Sequence, residues 1–344
     1  MPSSSVFADI PPVRIVTDVT LRSFGEEIFP AGRPVLFKGL VKMWPAVARA
    51  ETGIDAMSAY LKGMDNGQLT AVLEANNKTS GRFAYATDMN EFNFIRRNKT
   101  ISDGIDAILA ARHQEHAPYI YVQSALIHQF LPAFLADNPC PLLPPSIQPR
   151  IWISNATRAQ IHNDTADNLA CVAAGHRRFT LFPPEQLANL YIGPMEHTPS
   201  GRAISLASLE EPDYERFPRL AEALKHAQIA EMEPGDALYV PKYWWHHVQS
   251  LDPFNVLINY WWGHQVRGSE NPLGAFMAAL LSVKDPNPNE KTYWKAMFDH
   301  YIFQTGGDPV AHIPEGHQGG LGPLNPHLRA EILRNLQSLL SGRA

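Results

Sequence analysis

Apolar residues recur along this chain with two different periods, and the changes of period divide it into three parts. From Arg14 to about Ala117 short strand-like runs alternate with helical patterns. Pro34-Val35-Leu36-Phe37 is β-branched and aromatic and stops at Gly39, which predicts a strand. Met43-Trp44-Pro45 marks a turn or helix boundary. Ile54–Lys62 and Ile101–His113 space their apolar residues as amphipathic helices do, and Tyr119–Gln123 reads as a strand. From about Arg150 to Trp262 short β-type runs dominate: Arg150–Ser154, Asn168–Ala174, Arg178–Phe182, Ala237–Val240, His247–Leu251 and Asn255–Trp262. Turn residues such as Ala174-Gly175 and Glu233-Pro234-Gly235-Asp236 punctuate them, a pattern that predicts a sandwich or barrel. The stretch Tyr191–Ile229 is too long for a hairpin loop, and a helix is expected in it near Arg219–His226.

Beyond Gly263 the period becomes helical, over Pro272–Val283, Asn289–Phe303 and Pro326–Ser341. In the last of these, Leu328, Ile332, Leu336 and Leu340 form one stripe. Such a stripe needs a cover, either the chain's own core or a second copy, so a homodimer through the C-terminal helices is one expectation. The organisation expected is an α/β segment over 1–118, a β core over 119–265 and a helical region over 266–344.

Composition narrows the field. With 344 residues, 45% hydrophobic and 18% charged, the chain can bury a sizeable core. A net charge of −5 gives no reason to expect nucleic acid or an anionic membrane as partner. Two cysteines, Cys140 and Cys171, make neither a disulfide framework nor a thiolate zinc site. Met1–Pro12 lacks the basic and apolar regions of a secretory signal, and the longest apolar stretch, around Ala275–Val283, is short of a membrane span. A cytoplasmic soluble protein is expected.

The chemistry is concentrated in His162-Asn163-Asp164 and in Trp244-Trp245-His246-His247-Val248. Two imidazoles and a carboxylate on separate segments can bind one face of a metal and leave the other positions open, as in non-haem Fe(II) oxygenases. His-x-Asp/Glu alone is weak, since fourteen histidines give roughly one accidental match. His113-Gln114-Glu115 is such a match, at the end of a predicted helix, where residues two apart diverge. On a strand, residues two apart share a face, so His162 and Asp164 can chelate one ion. Adjacent strand residues point oppositely, so only one of His246 and His247 faces it.

These stretches together resemble the JmjC/cupin-like Fe(II)- and 2-oxoglutarate-dependent oxygenases. Within them the pattern is nearest to the branch that hydroxylates an asparagine of hypoxia-inducible factor and to bacterial cupin-like relatives. The resemblance is carried by Ile161–Asp164, Gly175–Pro184, Pro212–Pro218, Pro234–Asp236, Trp244–His247 and Ile258–Trp261, and more weakly by Arg33–Gly39 and Tyr119–Gln123. It implies a mainly β protein with helical additions, built on a double-stranded β-helix (jelly-roll) core. It also implies that His162, Asp164 and His246 hold Fe(2+), with 2-oxoglutarate and O2 as co-substrates. Tyr121, Asn168, Asn259 and Trp261 match residues around the co-substrate. Arg177 stands where the family has a lysine for the far carboxylate, and Ala159 where it has a threonine; Thr157 lies two residues earlier. Trp244, Trp245, Trp261 and Trp262 cluster around the expected centre, at least two of them as packing. The implied reaction is hydroxylation of a protein side chain or small molecule with formation of succinate and CO2. The two departures favour a cupin-type metalloenzyme that does without 2-oxoglutarate as the second reading. A non-catalytic binding module is the third, and zinc is a competing ion.

Overall fold

A computed structural model describes residues 6–263 and 271–341. The chain divides into two compact units, one up to residue 264 and one from 265 onward.

The first unit is a jelly-roll of the cupin type. Its strands are β1 (Arg14–Val16), β2 (Val35–Phe37), β3 (Thr70–Ala75), β4 (Phe94–Lys99), β5 (Tyr119–Leu126), β6 (Arg150–Ser154) and β7 (Arg158–Asn163). They continue with β8 (Asp167–Ala174), β9 (Arg177–Phe182), β10 (Gln228–Met232), β11 (Ala237–Val240), β12 (Trp245–Ser250) and β13 (Asn255–Trp262). Nine form one sheet in the order β1-β2-β11-β8-β13-β6-β5-β3-β4, and four form a second in the order β10-β9-β12-β7. The strands of residues 14–99 thus extend the same sheet that carries β8 and β13.

Among the described residues four apolar clusters follow from the alternation of side chains along these strands, the smallest around Leu73, Ala75 and Phe83. Between the sheets lie Leu36, Val172, Phe179, Leu181, Leu238 and Leu257. The outer face of the large sheet packs on Ile101, Ile105 and Ile108 of the helix Ile101–Ala111, and on Met57 and Leu61 of the helix Ile54–Lys62. The outer face of the small sheet, through Ile161, Phe182 and Trp245, is covered by the Tyr191–Ile229 insertion, with Leu209, Phe217 and Leu220 as its inner surface. β8 is covered on both faces, and every one of its residues is buried.

The Pro234-Gly235-Asp236 turn is held by its aspartate. Asp236 accepts from the backbone N–H groups of Glu233 and Gly39 and from Lys38 Nζ at 2.6 Å, joining the β10–β11 turn to the end of β2. Gly235 has φ of 101°, and a Cβ there would meet Lys42 Cα at 3.1 Å, so the turn requires glycine.

The second unit is helical, with Pro272–Ser282, Pro288–Met297 and Pro326–Leu340. Each starts at an Asn-Pro pair: Asn271, Asn287 and Asn325 accept from first-turn N–H groups, and the proline needs no such partner. The C-terminal stripe is not covered as its pattern demanded. Ile332, Leu336 and Leu340 are 42%, 40% and 66% exposed. No helix of the described residues is long and apolar enough to cross a membrane.

Candidate metal centre

His162 and His246 are direct cross-strand partners on β7 and β12. Their ring centroids are 4.4 Å apart, and Asp164 follows one residue beyond the end of β7. Between His246 and Val248 the β7–β12 register slips by one residue, so that Gln160 and Ile161 oppose His247 alone. This bulge lets Ile161 point outward while His162 still points inward, opposite His246. Tyr243, with a φ of 69°, donates its N–H to the Asp164 carbonyl at 2.8 Å and ties the two ligand-bearing loops together.

One ligand atom from each of His162, Asp164 and His246 lies within 4.8 Å of the others, and His246 is buried. Each imidazole is oriented by a carbonyl: His162 Nδ1 meets Gln160 O at 2.7 Å, and His246 Nδ1 meets Trp244 O at 3.0 Å. A carbonyl can only accept, so each Nδ1 carries the proton and each Nε2 presents a lone pair, the tautomer a metal needs. Burial, with His162 alongside, lowers the His246 pKa to about 4, so the ring is neutral at physiological pH. Arg202, from the insertion, places Nε 3.8 Å from Asp164 Oδ1, while Oδ2 faces His246 Nε2 at 3.9 Å. Two nitrogens and one carboxylate oxygen converging from one side fit a divalent metal with open positions.

The neighbouring histidine faces the other way. His247 Nε2 lies outside the barrel, 3.2 Å from Glu210 Oε1 of the insertion. Arg158 Nε is 3.3 Å from the same carboxylate, and Gln249 donates to it at 3.1 Å. Burial opposes the charge on Glu210, yet His247 and Arg158 hold its pKa at about 2. Sequence patterns gave no sign of Glu210, because the contact spans the insertion.

The inner wall carries the remaining residues. Asn259 donates to Asn168 Oδ1 at 2.8 Å across β13 and β8, leaving Asn259 Oδ1 buried without a partner. Arg177 is 2% exposed, and its Nε and Nη2 have no hydrogen-bond partner. Burial draws its pKa down to about 10, with Tyr121 opposing, so it stays a cation at neutral pH. Burial raises the Tyr121 phenol well above its usual range. Along β12, Arg177 pairs with Ser250, four residues from His246, which sets it at roughly 13 Å of strand from the metal position. A buried cation with no acid beside it fits an anionic ligand. Thr157 does not take the place of a hydroxyl at 159, for it precedes β7 and donates to Ser154 Oγ at 3.0 Å.

The tryptophans disperse. Trp261 stands edge-on to Trp152 at 6.0 Å and has the Arg150 guanidinium 5.9 Å from its ring. Trp245 packs outside under the insertion, Trp262 stacks on Tyr239, and Trp244 donates to Gly32 O. Of the four, Trp261 points from β13 to the inner wall, and Trp244 also packs against the cluster between the sheets. Sequence reading also missed Arg150, which Ser124 holds through its carbonyl and hydroxyl at 2.9 and 3.2 Å. Ser124 does so from a φ of 54° in a bulge of β5.

Residues 21–268 match the family described as cupin-like domain, and the chain belongs to that family, in its JmjC-type branch. Among curated relatives it is 34% identical to HSPB1-associated protein 1 of Bos taurus over 143 residues, 40% of this chain and 29% of that one. It is 35% identical to lysine-specific demethylase JMJ31 of Arabidopsis thaliana over 112 residues, 32% of this chain and 20% of that one. It is 27% identical to Jumonji C domain-containing protein 5 of Drosophila melanogaster over 254 residues, 71% of this chain and 58% of that one. The match thus spans less than a third of the first two relatives.

Proposed function

We propose that this protein is an Fe(II)- and 2-oxoglutarate-dependent oxygenase that hydroxylates a protein side chain or small molecule, forming succinate and CO2. The observation that carries the proposal is the buried, unpaired Arg177 guanidinium behind three converging metal donors. His162, Asp164 and His246 hold the metal, and Arg177 binds the far carboxylate of 2-oxoglutarate, with Tyr121 beside it. When bound, Fe(II) with 2-oxoglutarate and O2 supplies the oxidising chemistry. Asn168 and Asn259 orient the metal end of the co-substrate, and Trp261 walls off water. Demethylation follows if the hydroxylated carbon is an N-methyl group, the outcome named for the Arabidopsis relative. Arg177 argues against the reading without 2-oxoglutarate, since a metal-only cupin has no use for a buried cation at the closed end.

The test is aerobic turnover by the Fe(II)-loaded protein, with succinate measured by mass spectrometry. Succinate from wild type and none above background from His246→Ala is expected. No succinate from either, or equal amounts from both, would contradict the proposal.

The uncovered Leu336 stripe supports self-association through the second unit. Light scattering after size exclusion is expected to give a dimer that Leu336→Asp converts to monomer; a wild-type monomer would end this part.

A further inference from the structure

Trp152, like Trp261, is an inner-wall donor with no acceptor in the protein. Its indole Nε1 is buried and makes no hydrogen bond. The ring stacks on Tyr121 at 5.5 Å with an interplanar angle of 27°, and meets Trp261 edge-on at 6.0 Å. Trp152 and Ala159 pack against the same interior cluster, and the one-carbon side chain at 159 brings no donor to it. Tyr121 lies opposite Ser154, whose Oγ donates to Ser250 Oγ at 3.2 Å, and Ser250 lies opposite Arg177. The closed end of the barrel therefore gathers Arg177 Nε, Arg177 Nη2 and Trp152 Nε1, all unpartnered.

Guanidinium and indole nitrogens donate and never accept. Leaving three such N–H groups buried and unpaired costs stability, and a carboxylate, which only accepts, satisfies them together. We propose that Trp152 is a specificity-determining residue for the co-substrate: its indole N–H donates to the far carboxylate held by Arg177. The indole supplies the second donor that Ala159, lacking a hydroxyl, does not. This rests on the 2-oxoglutarate reading and assigns a residue that the resemblance leaves without a role. A 2-oxo acid with a second carboxylate gains from Trp152; one without it gains nothing.

The experiment is calorimetry on the Mn(II)-loaded protein with 2-oxoglutarate and with 2-oxobutyrate, which keeps the metal-binding end but lacks the far carboxylate. Trp152→Phe is expected to weaken 2-oxoglutarate about 10-fold and to leave 2-oxobutyrate unchanged. Adding Ala159→Thr, which returns a hydroxyl to the same interior, is expected to recover most of that loss. Equal weakening of both acids would reduce Trp152 to packing, and no weakening of either would overturn the proposal. If wild type binds 2-oxobutyrate and 2-oxoglutarate equally, the far-carboxylate site itself fails, a different result from failure of Trp152 alone. Should Trp152→Phe not fold, 15N-labelled wild type with Zn(II) answers the question. One of its seven indole N–H resonances, assigned by labelling only tryptophan, is expected to move on adding 2-oxoglutarate but not 2-oxobutyrate. An unmoved Trp152 resonance would also overturn the proposal.

Discussion

On β9 the Arg178 guanidinium lies outside the barrel, 2.6 Å from Glu231 and over the Phe7 ring, while its neighbour Arg177 is buried inside with two nitrogens unpaired. On β12 the same division holds for the histidines. His247 meets Glu210 outside, and His246 faces two other metal donors inside. Identical residue types, one position apart, thus serve different ends. The outer side chains meet acids of this chain and fasten β10 and the insertion to the small sheet. The inner ones are left for something the chain does not contain. A buried charge without a partner is unfavourable for the fold alone, so its persistence points to a ligand.

Substitutions at the paired positions test this division. The largest effect is expected for the histidines. His246→Ala should weaken Mn(II) binding by more than ~100-fold, measured by calorimetry, with His247→Ala close to wild type. Comparable losses would dissolve the distinction between the faces.

The arginines come next, and here the comparison predicts effects of opposite sign. Arg177→Met should lower 2-oxoglutarate affinity by roughly 30-fold or more and yet raise the stability of the ligand-free protein by about 1 kcal/mol or more. Arg178→Met should leave affinity alone and cost under about 1 kcal/mol in urea unfolding. A destabilised Arg177→Met would mean that the cation already has a structural partner.

The smallest effect concerns acid. Glu210 has its pKa lowered to about 2 in the folded protein, below the value of about 4.3 for a free glutamate. Its contribution is therefore complete above that unfolded value and is lost as pH falls toward 2. It amounts to about 1–3 kcal/mol. Glu210→Gln should flatten the fall in melting temperature between pH 5 and 3 relative to wild type; an unchanged slope would remove Glu210 from the account.

Much of this was legible in the chain because it is local. Strands buried on both faces, such as β8 and β13, show as continuous apolar runs, and the Pro-Gly-Asp turn announces itself. The Asn-Pro pairs start all three C-terminal helices. β1, β3, β4 and β10 were not among the expected runs, and β7 was reached only through His162; Arg96, Arg97 and Lys99 and then Arg158 and Gln160 give β4 and β7 a polar look, and pairing rather than apolar pattern holds them. His162, Asp164 and His246 could be singled out by spacing and resemblance. Whether Arg177 faced inward could not, because a strand has two faces and the bulges that set the register leave little trace in composition. Trp152, Arg150 and Glu210 were invisible for the same reason: their meaning lies in partners far along the chain, or in the lack of one.

The central claim is that the inner face is built for a metal and a dicarboxylate together. The most direct measurement is the heat of 2-oxoglutarate binding to wild-type protein with and without Mn(II). The account predicts micromolar affinity with the metal, much weaker binding without it, and loss of the metal-loaded affinity in Arg177→Met. No binding by the metal-loaded protein, or binding indifferent to both the metal and Arg177, would contradict it.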